Sequence, residues 1–233
     1  MSERKSIKDI NRDLRIACIA GNYEIIKSLI SNGANIHTRN NNHGYTPIIY
    51  ASREGYYEIV EFLLLNGANV HDKDNYEKSS IIYASKYSKN VRVVELLISN
   101  GADIYDSDNY GHNAINYASM VGHNDIIQLL ILNGVNINHS DECGCTPIIG
   151  ASANGKIDTV KFLISIDANI HYQDLSGDTA ISCALRESHL DIVEILQNWS
   201  LTMLIIVLQE LFVYNLLDFE SFIDFNEYFG KII

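Results

Sequence analysis

Proline, cysteine and cationic side chains are scarce in this chain of 233 residues, which contains only two prolines and four cysteines. The cysteines, at positions 18, 143, 145 and 183, are too few and too unevenly spaced for a disulfide scaffold of this length, so we expect a reducing compartment. The first residues also lack the continuous apolar stretch of a signal peptide, which favours a cytoplasmic or nucleocytoplasmic protein. Apolar residues nevertheless make up 47% of the chain, enough for a substantial core.

Positive charge is missing from the middle of the chain. Lys and Arg number 17 against 29 Asp and Glu, a net charge of −12, and no Lys or Arg lies between Arg92 and Lys156. Binding a polyanion requires clustered cations, so we expect no nucleic-acid partner. Residues 93–233, with 4 basic and 19 acidic side chains, instead predict a protein partner that carries a basic patch.

A repeat of 33 or 34 residues organises the chain. The repeated alanines are Ala51, Ala84, Ala118, Ala151 and Ala184. Three residues before each alanine stands an isoleucine: Ile48, Ile81, Ile115, Ile148 and Ile181. Two residues earlier stands a side chain able to cap a helix: Thr46, Ser79, Asn113, Thr146 and Thr179. Each unit is therefore predicted to begin a helix at this point, with the isoleucine and alanine on one buried face.

Glycines mark the remaining parts of each unit. After Gly55 or Gly122, apolar pairs at helical spacing predict a second helix, which ends at a further glycine such as Gly101. A short polar stretch then leads to a turn that contains Gly44, Gly111, Gly144 or Gly177, which predicts a hairpin-like loop. Where other units have glycine, this chain has Glu77, Asp167 and Ser188, so we expect a less regular third unit and a less rigid carboxyl end.

A unit of turn, two helices and glycine stop, with Thr-Pro, Ile-x-x-Ala and then Gly-Ala-Asn/Asp-Ile/Val, resembles the ankyrin repeat. The resemblance implies an all-α ankyrin-repeat solenoid of stacked helix-turn-helix units with hairpin loops. We predict a charged leader at 1–13, six units at 14–40, 41–73, 74–107, 108–140, 141–173 and 174–199, and an apolar and acidic segment at 200–233. The bias towards Ile, Asn and Tyr resembles ankyrin proteins of large DNA viruses and of protists with AT-rich genomes.

The chain departs from the family at one position of the Thr-Pro-Leu-His motif, whose histidine tethers the helix to the hairpin. The residues found there are Ile49, Ile82, Asn116, Ile149 and Ser182. We therefore expect some local hydrogen bonding to be lost.

The resemblance also implies that a protein partner binds the concave face lined by the hairpin tips and first helices. The candidate residues are His43, Tyr45, Arg53, Tyr76, Lys78, Tyr87, Tyr110, His112 and Met120. A plainer alternative is that the tyrosines only reflect the overall composition. No catalytic, cofactor-binding or metal-ligating set survives the repeat alignment, because His37, His71 and His171 recur as scaffold. We therefore expect a monomeric, non-enzymatic interaction scaffold.

Two segments keep alternatives open. Cys143 and Cys145 flank Gly144 and could share a soft metal with Asp141, Glu142 or His139, although two surface thiols are the plainer interpretation. Residues 200–233 are predicted to form a capping helix that begins near Ser200, with Trp199 against the sixth unit. A second interpretation is a membrane-associated scaffold anchored by residues 201–217, but Gln209 and Glu210 within the run and Lys231 as the only flanking cation count against it. A third is an irregular end with no selected role.

Overall fold

The structure, a computed structural model, describes residues 6–213, and this range contains twelve α-helices. They are α1 (Ile7–Ala20), α2 (Tyr23–Ser31), α3 (Pro47–Glu54), α4 (Tyr57–Leu65), α5 (Ser80–Tyr87), α6 (Val91–Ser99), α7 (Ala114–Val121), α8 (Asn124–Leu132), α9 (Pro147–Ala153), α10 (Ile157–Ser165), α11 (Ala180–Arg186) and α12 (Leu190–Val213). Within the described range, β structure is limited to two isolated antiparallel bridges, Lys73 with Ser79 and Ser107 with Asn113. The predicted all-α class is confirmed.

The helices pack in pairs, and each first helix contacts the first helix of the next unit: α1 with α3, α3 with α5, and so on to α9 with α11. Ile48, Ile81, Ile115 and Ile148 are at most 1% exposed and belong to one continuous core. The repeated alanines, from Ala51 to Ala184, have no exposed surface. Small side chains at this position let neighbouring first helices approach closely, and the isoleucine column fills the space between them.

The first helices of units two to six begin after the predicted caps, but only two of the five caps make the expected hydrogen bond. Asn113 and Thr179 form capping boxes with Asn116 and Ser182 respectively. Thr46, Ser79 and Thr146 accept no bond from the helix, and their buried hydroxyls have no partner within the described part of the chain. The three units without a cap bond are those with isoleucine at the histidine position of the motif. The expected loss is therefore confirmed for these units, and the polar residues of the other two restore it.

Two predicted boundaries at the ends of the solenoid are wrong. Most of the predicted leader, 1–13, is helix, because the Ser6 side chain accepts from the Asp9 amide and α1 begins at Ile7. Ile10 then packs on the core and Leu14 is fully buried. At the other end no helix begins near Ser200, because the second helix of unit six continues without interruption as α12.

The first half of α12 packs against the rest of the last unit. Ile192 and Leu196 are fully buried, and Trp199 packs against the core as predicted. Met203, Leu204 and Ile206 are about 40% exposed. Among the described residues, no helix combines the length and apolar character needed to cross a membrane. Residues 214–217 of the proposed anchor lie outside the described residues.

The three residues that replace glycine adopt its backbone conformation. Glu77, Asp167 and Ser188 have φ values of +62°, +65° and +63°, the only non-glycine residues of the described range with positive φ. A side chain in this left-handed region costs free energy that glycine avoids. The repeat geometry therefore persists at these positions against local backbone preference.

Candidate functional site

Each hairpin is built around one side-chain oxygen that accepts two backbone hydrogen bonds. Oδ1 of Asp74 accepts from the amides of Tyr76 and Lys78, both at 2.8 Å. Oδ1 of Asp108 accepts in the same way from Tyr110 and His112, both at 3.0 Å. Asn40, Asp141 and Asp174 repeat the arrangement in the remaining hairpins. These bonds fix the backbone that carries the candidate binding residues.

Backbone hydrogen bonds join each hairpin tip to the next one. The Glu142 amide donates to the Tyr110 carbonyl at 3.0 Å, and the Leu175 amide donates to the Cys143 carbonyl at 2.9 Å. At Gly111, where φ is +76°, an added Cβ would lie 2.7 Å from the Glu142 nitrogen. Glycine is required here for both its positive φ and the absence of a side chain. The tips therefore form a continuous row with fixed spacing.

In the third and fourth units, the second oxygen of the organising aspartate faces a tyrosine of the following first helix. The Tyr83 hydroxyl donates to Oδ2 of Asp74 at 2.7 Å, and the Tyr117 hydroxyl donates to Oδ2 of Asp108 at 2.6 Å. In the second unit the Asn40 amide donates to the Tyr50 hydroxyl at 2.9 Å. These three tyrosines are at least 90% buried, so they lock the hairpins to the helices.

Burial and hydrogen bonding act in opposite directions on the Asp108 carboxylate. Burial alone would raise its pKa, but the bonds from the Tyr117 hydroxyl and from the amides of Tyr110 and His112 outweigh burial and lower it. Burial and the adjacent Asp108 carboxylate raise the pKa of Tyr117 to about 12. The carboxylate is therefore charged and the phenol neutral at physiological pH.

Outside the buried tyrosines, aromatic rings and cations contact one another across units two to four. Tyr45 stacks with His43 at a centroid distance of 5.3 Å and meets Tyr83 edge to face at 5.2 Å. Tyr83 in turn stacks with Tyr87 at 6.0 Å. The Arg53 guanidinium lies 5.0 Å from the Tyr87 ring centroid. Large aromatic surfaces of this kind are common at protein interfaces.

Lys86 and Lys78 extend the same network into the fourth unit. Lys86 Nζ lies 5.0 Å from the Tyr87 centroid and 4.6 Å from that of Tyr117. Lys78 Nζ lies 5.0 Å from the Tyr117 ring and 3.4 Å from Asp108 Oδ2. His112 faces Tyr117 from the hairpin at 5.3 Å. We call the surface formed by residues 43–45, 76–78 and 110–112 with Arg53, Lys86 and Tyr87 the hairpin face.

The structure brings eight of the nine predicted residues together on this hairpin face. His43, Tyr76, Tyr87 and Tyr110 are exposed, whereas Tyr45, Arg53, Lys78 and His112 are half-buried. Met120 is the exception to the contact network, because it is half-buried and directed at Gly150: a Cβ added there would lie 3.1 Å from Met120 Cγ. Met120 thus fills the space that a tyrosine occupies in units two to four.

Sequence reasoning missed the residues that organise the face. Lys86 lies two residues after its repeat alanine, in the position of Arg53 and Met120, so the alignment could have identified it. The organising residues Asp74, Asp108, Asp141 and Asp174 each stand ten residues before a repeat alanine, and Asn40 stands eleven residues before Ala51. Tyr83 and Tyr117, each one residue before its repeat alanine, also contact the rings and cations of the face, and their buried positions in the repeat give no sign of these contacts.

The alternative metal set around Cys143 and Cys145 is not assembled among the described residues. Asp141 binds two amides through Oδ1 and lies 3.0 Å from His112 Nε2 through Oδ2, and the His139 ring lies 3.3 Å from the Gly111 carbonyl oxygen. Cys143 is exposed and Cys145 half-buried. Burial and the nearby Asp141 and Asp174 carboxylates raise the pKa of Cys145 to about 12. Cys18 and Cys183 are core residues, as expected.

Comparison with known protein families supports the repeat assignment independently. A family model described as ankyrin repeats (3 copies) matches residues 10–74, 66–141 and 115–202. These matches together span well over half of the chain and include every residue of the hairpin face. A search among curated proteins finds no match.

Proposed function

Since this chain belongs to the ankyrin-repeat family, whose repeats are generally modules for protein–protein interaction, we propose that it is a non-enzymatic scaffold that binds a protein partner through the hairpin face. The observation that carries this proposal is a set of exposed rings mounted on a rigid support. Tyr76, Tyr87 and Tyr110 are between 45% and 60% exposed. Their backbones are held by the organising carboxylates or by helix α5.

A rigid tyrosine binds at low entropic cost. Ordering a flexible side chain at an interface costs about 0.5–1.5 kcal/mol, and much of this cost is avoided where the side chain is already held in place. Tyr87 is already confined by the Tyr83 ring and two cations. Tyrosine and arginine are also among the residues that most often dominate binding energy. The hairpin face therefore offers preorganised anchors.

Charge divides the solenoid into two parts. Arg53, Lys78 and Lys86 belong to units two and three, whereas the tips of units five and six carry Glu142 and Asp178. We propose a partner that contacts the aromatic part centrally and places its basic patch against the last two units. Complementary fields of this kind raise association rates and reject partners of the wrong charge.

Alanine substitution of exposed tyrosines tests the use of this face. We expect Tyr76→Ala, Tyr87→Ala and Tyr110→Ala together to weaken partner capture from the native cell at least tenfold, because each removes an anchor of about 1 kcal/mol or more. Tyr105→Ala is the matched control. Tyr105 is 61% exposed, but its hydroxyl lies 3.4 Å from the Gly134 carbonyl oxygen after α8, away from the hairpin face.

Capture should be quantified for each protein that co-purifies with wild type, with helix content measured in parallel by circular dichroism. Equal capture by wild type and the triple variant would refute the hairpin face as the binding surface. Equal losses in the triple variant and in Tyr105→Ala would do the same.

For the basic patch, Glu142→Gln should slow association at low salt and have little effect at high salt.

The remaining parts of the proposal concern state and location. We propose a monomer that acts in the cytoplasm, a reducing compartment in which the cysteines, free in the described range, would stay reduced. Sedimentation of the purified chain tests the first point, and fractionation of the native cell tests the second.

A further inference from the structure

The last hairpin differs from the hairpins of the third and fourth units in what faces its organising carboxylate. In hairpins three and four the residue nine positions after the aspartate is a tyrosine, Tyr83 or Tyr117, that donates to Oδ2. Nine positions after Asp174 stands Cys183. The only donor that the described residues place near Asp174 Oδ2 is another thiol, Cys145, with Sγ at 4.0 Å. Asp174 is therefore associated with two thiols, Cys145 and Cys183, where Asp74 and Asp108 each have a tyrosine hydroxyl.

Three potential ligand atoms converge at this point, and a fourth lies beside one of them. Carboxylate oxygens of Asp174 and Asp178 and Sγ of Cys183 all lie within 4.8 Å of one another. Cys145 approaches Asp174 from the preceding hairpin. These residues come from two hairpins and one first helix, so the fold brings them together although they are as much as 38 positions apart.

The donor set selects among metals. Two thiolates and two carboxylates favour Zn²⁺ and its surrogate Co²⁺ over Mg²⁺ and Ca²⁺, which prefer oxygen ligands only. Zinc binds sulfur at about 2.3 Å and carboxylate oxygen at about 2.0–2.2 Å in tetrahedral geometry, which places ligand atoms about 3.3–3.8 Å apart. The three atoms within 4.8 Å of one another must therefore close by about 1 Å, and Cys145 Sγ, which lies 4.0 Å from Asp174 Oδ2, must turn towards the other two ligands. Side-chain rotation at Cys145 and Asp178, both only partly buried, can supply that movement.

A cation already occupies the edge of this cluster. The Arg186 guanidinium forms a salt bridge to Asp178 and lies 3.4 Å from Cys183 Sγ through Nη2. Its side chain is 55% exposed, so it can leave for solvent at little cost. Arg186 thus neutralises the site in the metal-free chain and competes with a metal for the same ligands.

We propose that Cys145, Cys183, Asp174 and Asp178 form a Zn²⁺ site that joins the fifth and sixth units. Binding releases the two thiol protons and displaces Arg186, so the metal gains two thiolate bonds without any change in oxidation state. The site is independent of the hairpin face, because none of its ligands belongs to that surface. Bound Zn²⁺ would stabilise the packing of the sixth unit on the fifth, at the acidic end of the solenoid.

Cobalt titration of the full chain tests the site. The reduced, metal-stripped protein should bind one equivalent of Co²⁺, with thiolate-to-cobalt charge-transfer absorption and the intense visible bands of tetrahedral Co²⁺, and Zn²⁺ should abolish both. Cys145→Ser and Asp174→Asn should each weaken binding at least tenfold. Cys143→Ser should leave binding unchanged, because Cys143 is exposed on the same hairpin, whereas Cys145 is the thiol that approaches Asp174.

Arg186→Gln distinguishes a true site from a folding effect. Removing the competing guanidinium should tighten Co²⁺ binding severalfold, an outcome that a damaged fold cannot produce. Circular dichroism of each variant confirms that the helices persist. The proposal is overturned if no tetrahedral Co²⁺ spectrum develops, if Cys143→Ser removes it, or if Arg186→Gln weakens binding.

Discussion

Replacing Tyr117 with phenylalanine isolates the bond that fastens the fourth hairpin to its helix. The substitution keeps the ring, which faces His112, Lys78 and Lys86, and removes only the hydroxyl. That hydroxyl donates to Asp108 Oδ2 at 2.6 Å, and the Asp108 side chain has no exposed surface. A hydrogen bond to a charged group contributes about 1.5–3 kcal/mol, so we expect the free energy of unfolding to fall by about 2 kcal/mol.

Tyr50→Phe is the matched control, since the second unit uses the same contact without a charge. Tyr50 accepts from the neutral Asn40 amide at 2.9 Å, and a neutral bond contributes about 0.5–1.5 kcal/mol. For a chain of this size about 2 kcal/mol corresponds to a decrease of about 4–8 °C in melting temperature. Tyr50→Phe should lower it by about half as much. Thermal and urea unfolding followed by circular dichroism measure both differences.

The charge on Asp108 makes the Tyr117→Phe effect depend on pH. The folded-state pKa of Asp108 is lowered from its ordinary value of 3.8, so its contribution to stability is present above that value and is lost as pH falls through the folded pKa. Loss of the hydroxyl raises the folded pKa and removes part of this contribution. The stability difference should therefore be full at neutral pH and shrink below about pH 4. Equal losses for the two phenylalanine variants, or a difference that does not change with pH, would refute this reasoning.

Three further predictions concern the backbone and the caps. Thr146→Val removes a buried hydroxyl without a partner in the described range, so the free energy of unfolding should rise by up to about 1 kcal/mol. Thr179→Val breaks a capping box, so the free energy of unfolding should fall by about 1 kcal/mol. Urea midpoints that shift in the same direction for both variants would contradict this. Asp167→Gly should stabilise by about 1 kcal/mol, because φ there is +65°, and a lower melting temperature would count against it. Gly111→Ala should cost about 2 kcal/mol or more, because the new Cβ meets the Glu142 nitrogen at 2.7 Å; calorimetry showing no loss would mean that the hairpin row yields easily.

The repeat period predicted most of the fold because it reports burial directly. The isoleucine and alanine of each unit, such as Ile48 and Ala51, stand three residues apart in every unit, and a buried helix face requires that spacing. Glycine positions were equally informative, since Glu77 and Asp167 adopt the left-handed conformation that the alignment assigns to them. The ends were predicted less well, because no neighbouring unit repeats the pattern there. Ser6 caps helix α1 inside the segment whose charged residues predict a leader, and α12 continues through Ser200 without a break.

The hairpin face was predicted in part. Exposed positions such as Tyr76 and Tyr110 follow from the alignment with the ankyrin repeat. The role of Asp108 could not be predicted from its type alone, because a charged residue in a polar hairpin is usually solvent-exposed. Its burial results from a tyrosine nine residues later and from two backbone amides. Such a set of contacts becomes visible only when the hairpin and the helix are placed together.

The organising carboxylates have a consequence for how this protein can diversify. Asp74 and Asp108 bind main-chain amides two and four residues further on, and main-chain amides are common to every amino acid except proline. The loop shape is therefore insensitive to which side chains those positions display. Tyr76 and Lys78 can exchange for other residues without loss of the turn, so recognition can change by single substitutions while the architecture is inherited intact.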